Sequence, residues 1–192
     1  MTIYMTKDEQ IETLLTKGVQ QVLPNNDFLL QKLSSGKKLT IYAGFDPIAP
    51  TLHIGHTIQL RKLRQFQDLG HKIIFLVGDF TARIGDPTDK AATRKQLSEK
   101  EVKTNLRLYK KQAAKFIRFS GPNSASIKFN STWLKKLRFA EVVELASHMT
   151  VDYMLKRDMF AKRMEEEKPI YLHEFFYPLM QGYDSVALNV DG

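Results

Sequence analysis

The chain contains no cysteine. Without thiolates, disulfide bonds, sulfur-ligated zinc sites and a cysteine nucleophile are all excluded. The remaining metal-binding candidates, His148 and His173, are isolated along the sequence, so we expect no metal site formed by the protein. The lack of cysteine is compatible with a reducing compartment, and we expect a cytoplasmic protein.

Long apolar runs are also missing. No segment is long enough to span a bilayer, and the first residues include Lys7, Asp8 and Glu9 instead of the apolar core of a secretory signal. We therefore expect no membrane association. Hydrophobic residues nevertheless make up 43% of the 192 residues, which is typical of one globular domain with a substantial core.

Acidic residues are outnumbered, 21 against 29 basic ones, giving a net charge of +8. A basic surface suits RNA or phosphorylated ligands, but charge alone fits a solvated surface equally well. One stretch carries basic side chains at helical spacing without interleaved aromatic residues, which favours the solvated face of an amphipathic helix over an RNA track. Its members are Lys100, Lys103, Arg107, Lys111 and Arg118.

Periodicity predicts an α/β fold. The apolar runs at 39–45 and 73–77 read as strands, and the second is apolar throughout, as in a parallel strand buried on both faces. Between them lies a helical pattern over 55–69, followed by Gly70. Strand, helix and strand of this length predict a βαβ unit. Other helices are predicted at 8–23, 98–119, 132–147, 150–167 and 173–188.

The segment His53-Ile54-Gly55-His56 stands between the first predicted strand and the following helix. A glycine at a helix start lets a ligand approach the backbone, and the unpaired N–H groups there favour anions. Imidazoles can donate hydrogen bonds to phosphate oxygens as charge shifts during a reaction. The pattern predicts a polyphosphate site at the carboxyl end of a parallel strand, without a P-loop.

Near the end of the chain, Tyr177, Gln181 and Asp184 are spaced i, i+4, i+7. A helix places such residues on one face. Glutamine and aspartate fit a packed seam poorly, because buried polar groups need partners. The spacing favours a small polar pocket.

Several motifs in one order resemble the class I aminoacyl-tRNA synthetases, most closely tyrosyl-tRNA synthetases of the bacterial type. They cover nearly the whole chain: YAGFDP at 42–47, TLHIGHT at 51–57, GDFT at 78–81, IGDPT at 84–88, NSTWL at 130–134 and the segment 173–188. The resemblance implies a Rossmann-like (HUP-type) α/β fold, a parallel sheet flanked by helices, that stops before the second half of the catalytic domain. Within residues 1–192 it implies a first βαβ unit with the HIGH motif at 38–90, connective and dimer-interface helices at 120–170, and a tyrosine-pocket helix at 173–188.

The resemblance also implies roles for individual residues. His53 and His56 would stabilise the phosphate transition state, and ATP would be bound by these two with Gly44, Asp46 and Gly55. Tyr42 and Asp184 would meet the phenol of tyrosine. The ammonium group would be held by Asp86, Tyr177 and Gln181, and the remaining tyrosine contacts would come from Asp46 and Thr81.

The implied activity is the ATP-dependent formation of tyrosyl-adenylate and transfer of tyrosine to tRNA(Tyr), with Mg²⁺ arriving with ATP and a homodimer as the assembly. The family continues with a Gly-Gly-Thr/Ser-Asp-Gln segment, a Lys-Met-Ser-Lys-Ser loop and anticodon-binding modules, so we expect these 192 residues alone to show little or no activity. The alternative is a non-catalytic module that binds tyrosine or a partner. A different HIGH-bearing nucleotidyltransferase, or a tryptophan enzyme, leaves the triad at 177–184 unexplained.

Two positions depart from the family pattern. Ile48 stands where threonine is common, and isoleucine cannot donate a hydrogen bond to a γ-phosphate. Asp89 stands where glycine is usual, which disfavours a turn with positive φ.

Overall fold

A parallel three-stranded sheet forms the centre of the fold. The structure is a computed structural model that describes residues 5–85 and 97–192. The strands are β1 (Thr40–Phe45), β2 (Lys72–Val77) and β3 (Ser126–Phe129), in the spatial order β1-β2-β3. Both neighbouring pairs are parallel. The α/β class with a Rossmann-like parallel sheet flanked by helices is confirmed.

Helices connect and cover these strands. In the described ranges the α-helices are α1 (Lys7–Thr16), α2 (Asn26–Ser34), α3 (Ile54–Asp68), α4 (Glu99–Leu106), α5 (Tyr109–Ala113), α6 (Ser131–Leu134), α7 (Phe139–Ser147), α8 (Val151–Leu155), α9 (Asp158–Glu165) and α10 (Phe176–Leu188). Short 3₁₀ turns are formed by Thr81–Arg83 and Leu172–Phe175. Among the described helices, none has the length and apolar character needed to cross a membrane.

The β1–α3–β2 unit positions the candidate site. Strand β2 is buried from Ile73 to Val77, because helices cover both faces of a parallel sheet. Helix α3 packs against β1 and β2, and its apolar side chains Leu60, Leu63 and Phe66 join the core. The helix ends before Gly70, whose φ of 89° is readily adopted only by a residue without Cβ.

Four of the predicted helices are shorter or divided in the structure. The helix predicted at 8–23 ends at Thr16, because Gly18 adopts a φ of 68°, which a right-handed helix cannot contain. The continuous helix predicted over 98–119 is divided into α4 and α5. The helices predicted at 132–147 and 150–167 are divided as well, into α6 with α7 and into α8 with α9, so all four predictions of length were wrong.

Residues beyond β3 form the short helices α6 to α9, and the predicted helix at 173–188 begins with a 3₁₀ turn before α10. The outer edge of β1 is covered by the segment after α10. The Asp191 N–H donates to the Thr40 carbonyl at 2.9 Å, and the Gly192 carbonyl accepts from the Tyr42 N–H at 2.9 Å. These bonds hold the C-terminal end of α10 next to β1.

Candidate functional site

The carboxyl ends of the three strands bring together side chains that are distant in sequence. Asp46 follows β1, Thr81 follows β2, and Asn130 follows β3. Helix α10 crosses this edge of the sheet and contributes Tyr177 and Asp184. Ligands of open α/β sheets bind at this edge, outside the carboxyl ends of the strands.

Asp184 is the buried carboxylate of the site, with only 4% of its surface exposed. The indole N–H of Trp133 donates to its Oδ1 at 2.7 Å, and the Asn130 amide donates to its Oδ2 at 3.3 Å. Burial raises the pKa of Asp184 to about 6, although these two hydrogen bonds oppose the shift. The carboxylate is thus held in one orientation and is poorly solvated, which suits an acceptor aimed at a ligand hydroxyl.

Tyr42 lies on β1 next to this carboxylate. Its hydroxyl is 2.7 Å from the Ser185 hydroxyl and 3.5 Å from the Gln181 carbonyl. Burial raises the pKa of Tyr42, and the nearby charge of Asp184 adds to that shift despite the hydrogen bond to Ser185. The phenol therefore stays protonated and remains a donor near neutral pH.

Asp46 accepts two hydroxyl hydrogen bonds. The Thr81 hydroxyl donates to its Oδ1 at 2.7 Å, and the Tyr177 hydroxyl donates to its Oδ2 at 3.0 Å. The Asn130 amide also donates to the Thr81 hydroxyl at 3.1 Å, so one network extends from Tyr177 to Asp184. A Cβ at Gly78 would lie 1.8 Å from Asp46 Oδ1, which is why this close approach requires glycine.

The two histidines form a reciprocal cap at the start of α3. Nδ1 of His53 accepts the Gly55 N–H at 3.1 Å, and Nδ1 of His56 accepts the His53 N–H at 3.1 Å. In each neutral ring the proton is consequently on Nε2, which makes Nε2–H the donor available to a phosphate. Burial lowers the pKa of His56, and the charge of His53 adds to the effect. The rings are 3.8 Å apart between centroids.

Gly55 is needed for this arrangement. A Cβ at Gly55 would lie 2.9 Å from His53 Cε1 and 3.0 Å from its Nδ1. The side chain would displace the His53 ring from the cap. The glycine between the histidines therefore keeps the helix start open and the His53 ring in place.

The structure does not bring every predicted site residue into the network. The Gln181 side chain is exposed, although it lies on α10 with Tyr177 and Asp184. Gly44 is exposed on β1, where an added Cβ would meet only ordinary contacts. Asp86 lies outside the described residues, as do Asp89 and residues 86–90 of the predicted βαβ range. In the described parts of the chain, no group of three His, Cys, Asp or Glu side chains is arranged to hold a metal ion.

The contacts that orient Asp184 were not predicted from the sequence. The indole N–H of Trp133 donates to this carboxylate, and Asn130 links Asp184 to Thr81. An asparagine directly after a strand, followed three residues later by tryptophan, is the local signal that was present. It could not identify Asp184 as the partner, since Asp184 lies on α10 whereas Asn130 and Trp133 belong to the start of α6.

Comparison with known proteins identifies the family. The profile described as "tRNA synthetases class I (W and Y)" matches residues 34–191. The tyrosine–tRNA ligase of Moorella thermoacetica is 53% identical over 181 residues, which are 93% of this chain and 43% of that protein. The tyrosine–tRNA ligase of Desulfotalea psychrophila is 52% identical over 188 residues, which are 96% of this chain and 45% of that protein. The chain spans less than half the length of these curated relatives.

Solved structures agree with the sequence matches. A C-terminally truncated mitochondrial tyrosyl-tRNA synthetase of Aspergillus nidulans superposes with a TM-score of 0.76 at 28% identity, covering 97% of this chain and 55% of that one. The corresponding protein of Coccidioides posadasii gives a TM-score of 0.74 at 30% identity, covering 93% of this chain and 51% of that one. The resemblance inferred from the motifs is confirmed, and the chain belongs to the class I tRNA synthetase family of the tryptophan and tyrosine enzymes.

Proposed function

We propose that this chain provides the tyrosine pocket and part of the ATP site of a tyrosine–tRNA ligase. The observation that carries the proposal is the buried Asp184 carboxylate, oriented by Trp133 and Asn130 next to the Tyr42 phenol. An indole ligand offers no hydroxyl to this pair, whereas the phenol of tyrosine can donate to the carboxylate and accept from Tyr42. The names of the curated relatives support the same assignment.

Binding of phenylalanine would leave the same two groups unpaired. A site built to hydrogen-bond a substrate hydroxyl can reject the analogue without it by roughly 10⁴–10⁵. The other end of tyrosine would be held through Asp46 and Tyr177, with Thr81 supporting Asp46. Gln181 and Asp86 complete the proposed contacts to the ammonium group.

ATP would bind at the start of α3. In the proposed reaction the tyrosine carboxylate attacks the α-phosphorus of ATP, pyrophosphate leaves, and the tyrosyl group then passes to tRNA(Tyr). The Nε2–H groups of His53 and His56 would donate to phosphate oxygens, and Gly44, Asp46 and Gly55 would line the nucleotide site. Magnesium enters with ATP as part of the substrate. Catalysis of this kind depends on positioning and charge stabilisation, and a role in protein synthesis implies work in the cytoplasm.

Calorimetry tests this assignment directly. We expect the purified chain to bind L-tyrosine and to release no measurable heat with L-phenylalanine at the same concentrations. Tyramine keeps the phenol and the ammonium group but lacks the carboxylate. Its binding shows whether contacts to those two groups suffice. Equal binding of tyrosine and phenylalanine would contradict the phenol contacts, and no binding of tyrosine would contradict the proposed function.

We further propose that α7 contributes to a homodimer. No residue of this helix is buried, although six of its nine side chains are apolar. Phe139 is 82% exposed and Val143 is 53% exposed. A second copy is the occupant we assign to this surface, because a two-fold axis would place the same apolar helix on both sides. Since α7 also packs against α10, the dimer would brace the helix that carries Asp184.

Sedimentation velocity can test the dimer. We expect the parent chain to sediment as a dimer and the double variant Phe139→Ser/Val143→Ser to sediment as a monomer at the same concentration. The matched control is Leu23→Ser, since Leu23 is 75% exposed but lies far along the chain from α7. A monomeric parent, or a control that dissociates as readily, would count against the proposal.

A further inference from the structure

The loop at 46–52 joins β1 to the histidine cap of α3. It contains Pro47 and Pro50, which have no backbone N–H. Pro47 is buried, and a buried carbonyl without a donor is costly. The conformation of this short loop therefore depends on groups from elsewhere in the chain.

Three side chains of the α4–α5 segment supply those groups. Asn105, Tyr109 and Gln112 are spaced i, i+4, i+7. The Asn105 amide donates to the Pro47 carbonyl at 2.8 Å. The Gln112 amide donates to the Pro50 carbonyl at 3.1 Å, and its oxygen accepts the N–H of the residue just before His53, Leu52, at 2.8 Å.

Tyr109 makes the central contact. Its hydroxyl is 3.0 Å from the Ala49 carbonyl and 3.2 Å from the Asp46 carbonyl, and only 2% of the residue is exposed. Burial raises the pKa of Tyr109 to about 12, with a further contribution from the charge of Asp46, so the hydroxyl remains a donor. The boundary between α4 and α5, at residues 107–108, lies between Asn105 and Tyr109.

We propose that Asn105, Tyr109 and Gln112 are positioning residues that fix the loop 46–52 and so set Asp46 at one end and the His53–His56 pair at the other. The two ends carry different parts of the proposed chemistry, since Asp46 belongs to the tyrosine pocket and the histidines belong to the phosphate site. This inference rests on the proposed function for its consequence in catalysis. Its structural content can be tested without any activity.

The readout is the tautomer of the histidine rings, measured from ¹⁵N chemical shifts of Nδ1 and Nε2 in the labelled chain. In the parent we expect His53 and His56 to hold their neutral proton on Nε2, because Nδ1 accepts a backbone N–H in each. In Tyr109→Phe the loop loses its central donor, and we expect both rings to shift towards a mixture of tautomers. Tyr153→Phe, at a site that is 59% exposed, is the control substitution.

His71 provides an internal reference. Its Nδ1 accepts the Leu39 N–H at 3.2 Å, and it is 5% exposed at the opposite ends of β1 and β2. General loosening of the fold would change His71 together with the other two rings. Local control by Tyr109 requires His53 and His56 to change while His71 does not.

A second variant and a binding measurement complete the test. Gln112→Glu keeps the acceptor for the Leu52 N–H but removes the donor to Pro50, so we expect a smaller tautomer shift than in Tyr109→Phe. Tyrosine affinity should fall roughly threefold to tenfold in Tyr109→Phe, which is the value of one such hydrogen bond. Unchanged His53 and His56 signals in both variants, or an equal change at His71, would overturn the inference. A parent chain that binds no tyrosine would defeat the proposed function, while the histidine signals would still decide this inference.

Discussion

Replacing Asp184 by asparagine should reduce the preference for tyrosine over phenylalanine. The carboxylate accepts from Trp133 and Asn130 and would accept the substrate phenol as well. An amide offers one acceptor atom where the carboxylate offers two. The NH₂ group of the substituted side chain would therefore point a donor at another hydrogen-bond donor. A hydrogen bond to a charged group contributes about 1.5–3 kcal/mol, so we expect tyrosine affinity to fall by roughly 10- to 150-fold. Calorimetry with both amino acids measures the change.

The control for this substitution is Asp152→Asn on α8. Its side chain is 79% exposed and pairs with Lys156, the residue that follows α8. We expect no change in either affinity, because a solvent-exposed pair of this kind contributes little. If Asp184→Asn bound tyrosine as tightly as the parent, the phenol would have to meet other groups.

The pH dependence provides a second measurement of the same carboxylate. The pKa of Asp184 is raised from 3.8 to about 6 by burial. Tyrosine affinity should therefore fall as the pH drops through about 6, where the carboxylate gains a proton. The stability of the fold depends on pH in the opposite sense. Because the folded pKa lies above the unfolded one, the stabilisation from the bound proton is complete below about 4 and is lost as the pH rises through about 6. Asp184→Asn should lack both steps, which separates them from the titration of His56.

Local patterns in the sequence predicted the parts of the site that each element determines by itself. The strands β1 and β2, the start of α3 at the His53 cap, and the shared face of Tyr177 and Asp184 all follow from short-range spacing and propensity. The family motifs extended this reading to the class of protein, as the matches to the curated relatives confirm.

Contacts between distant elements could not be read in the same way. Trp133 and Asp184 are 51 positions apart, and Tyr109 and Asp46 are 63 positions apart. Periodicity indicates which face of a helix is apolar, but it does not say which carbonyl or carboxylate will lie opposite a buried hydroxyl. The same limitation applies to the segment 98–119, whose side chains Asn105, Tyr109 and Gln112 contact a loop elsewhere in the chain.

Another contact between separate elements, the buried ion pair of Arg163 and Glu174, predicts the largest loss of stability. Both side chains are 8% exposed, and Arg163 Nη2 donates to Glu174 Oε1 at 3.0 Å in addition to the contact between Nη1 and Oε2. Arg163 also donates to the Pro169 carbonyl, and Glu174 accepts the Tyr171 N–H at 2.9 Å. Burial alone would raise the pKa of Glu174, but the hydrogen bonds from Arg163 and Tyr171 hold it below its ordinary value.

Glu174→Gln should lower the free energy of unfolding by about 3–5 kcal/mol, because it leaves the Arg163 charge buried without a counter-charge. Urea denaturation measures the loss, and Glu141→Gln is the matched control. Glu141 pairs with Arg138 at the surface, where the arginine is 85% exposed, and we expect that change to have little effect on stability. A loss in Glu174→Gln no larger than in this control would mean that the pair does not hold the segment together.

The double variant Arg163→Met/Glu174→Leu separates a lost charge pair from lost packing. Replacing a buried pair by apolar side chains of similar volume is often neutral, so the double variant should recover most of the stability that Glu174→Gln loses. The pair joins α9 to the 3₁₀ turn that leads into α10, and α10 carries Tyr177 and Asp184. If this connection positions the pocket, Glu174→Gln should weaken tyrosine binding even where the chain remains folded, and the double variant should restore it. Recovered stability without recovered binding would instead show that the charges themselves, and not only the anchoring of α10, act on the pocket.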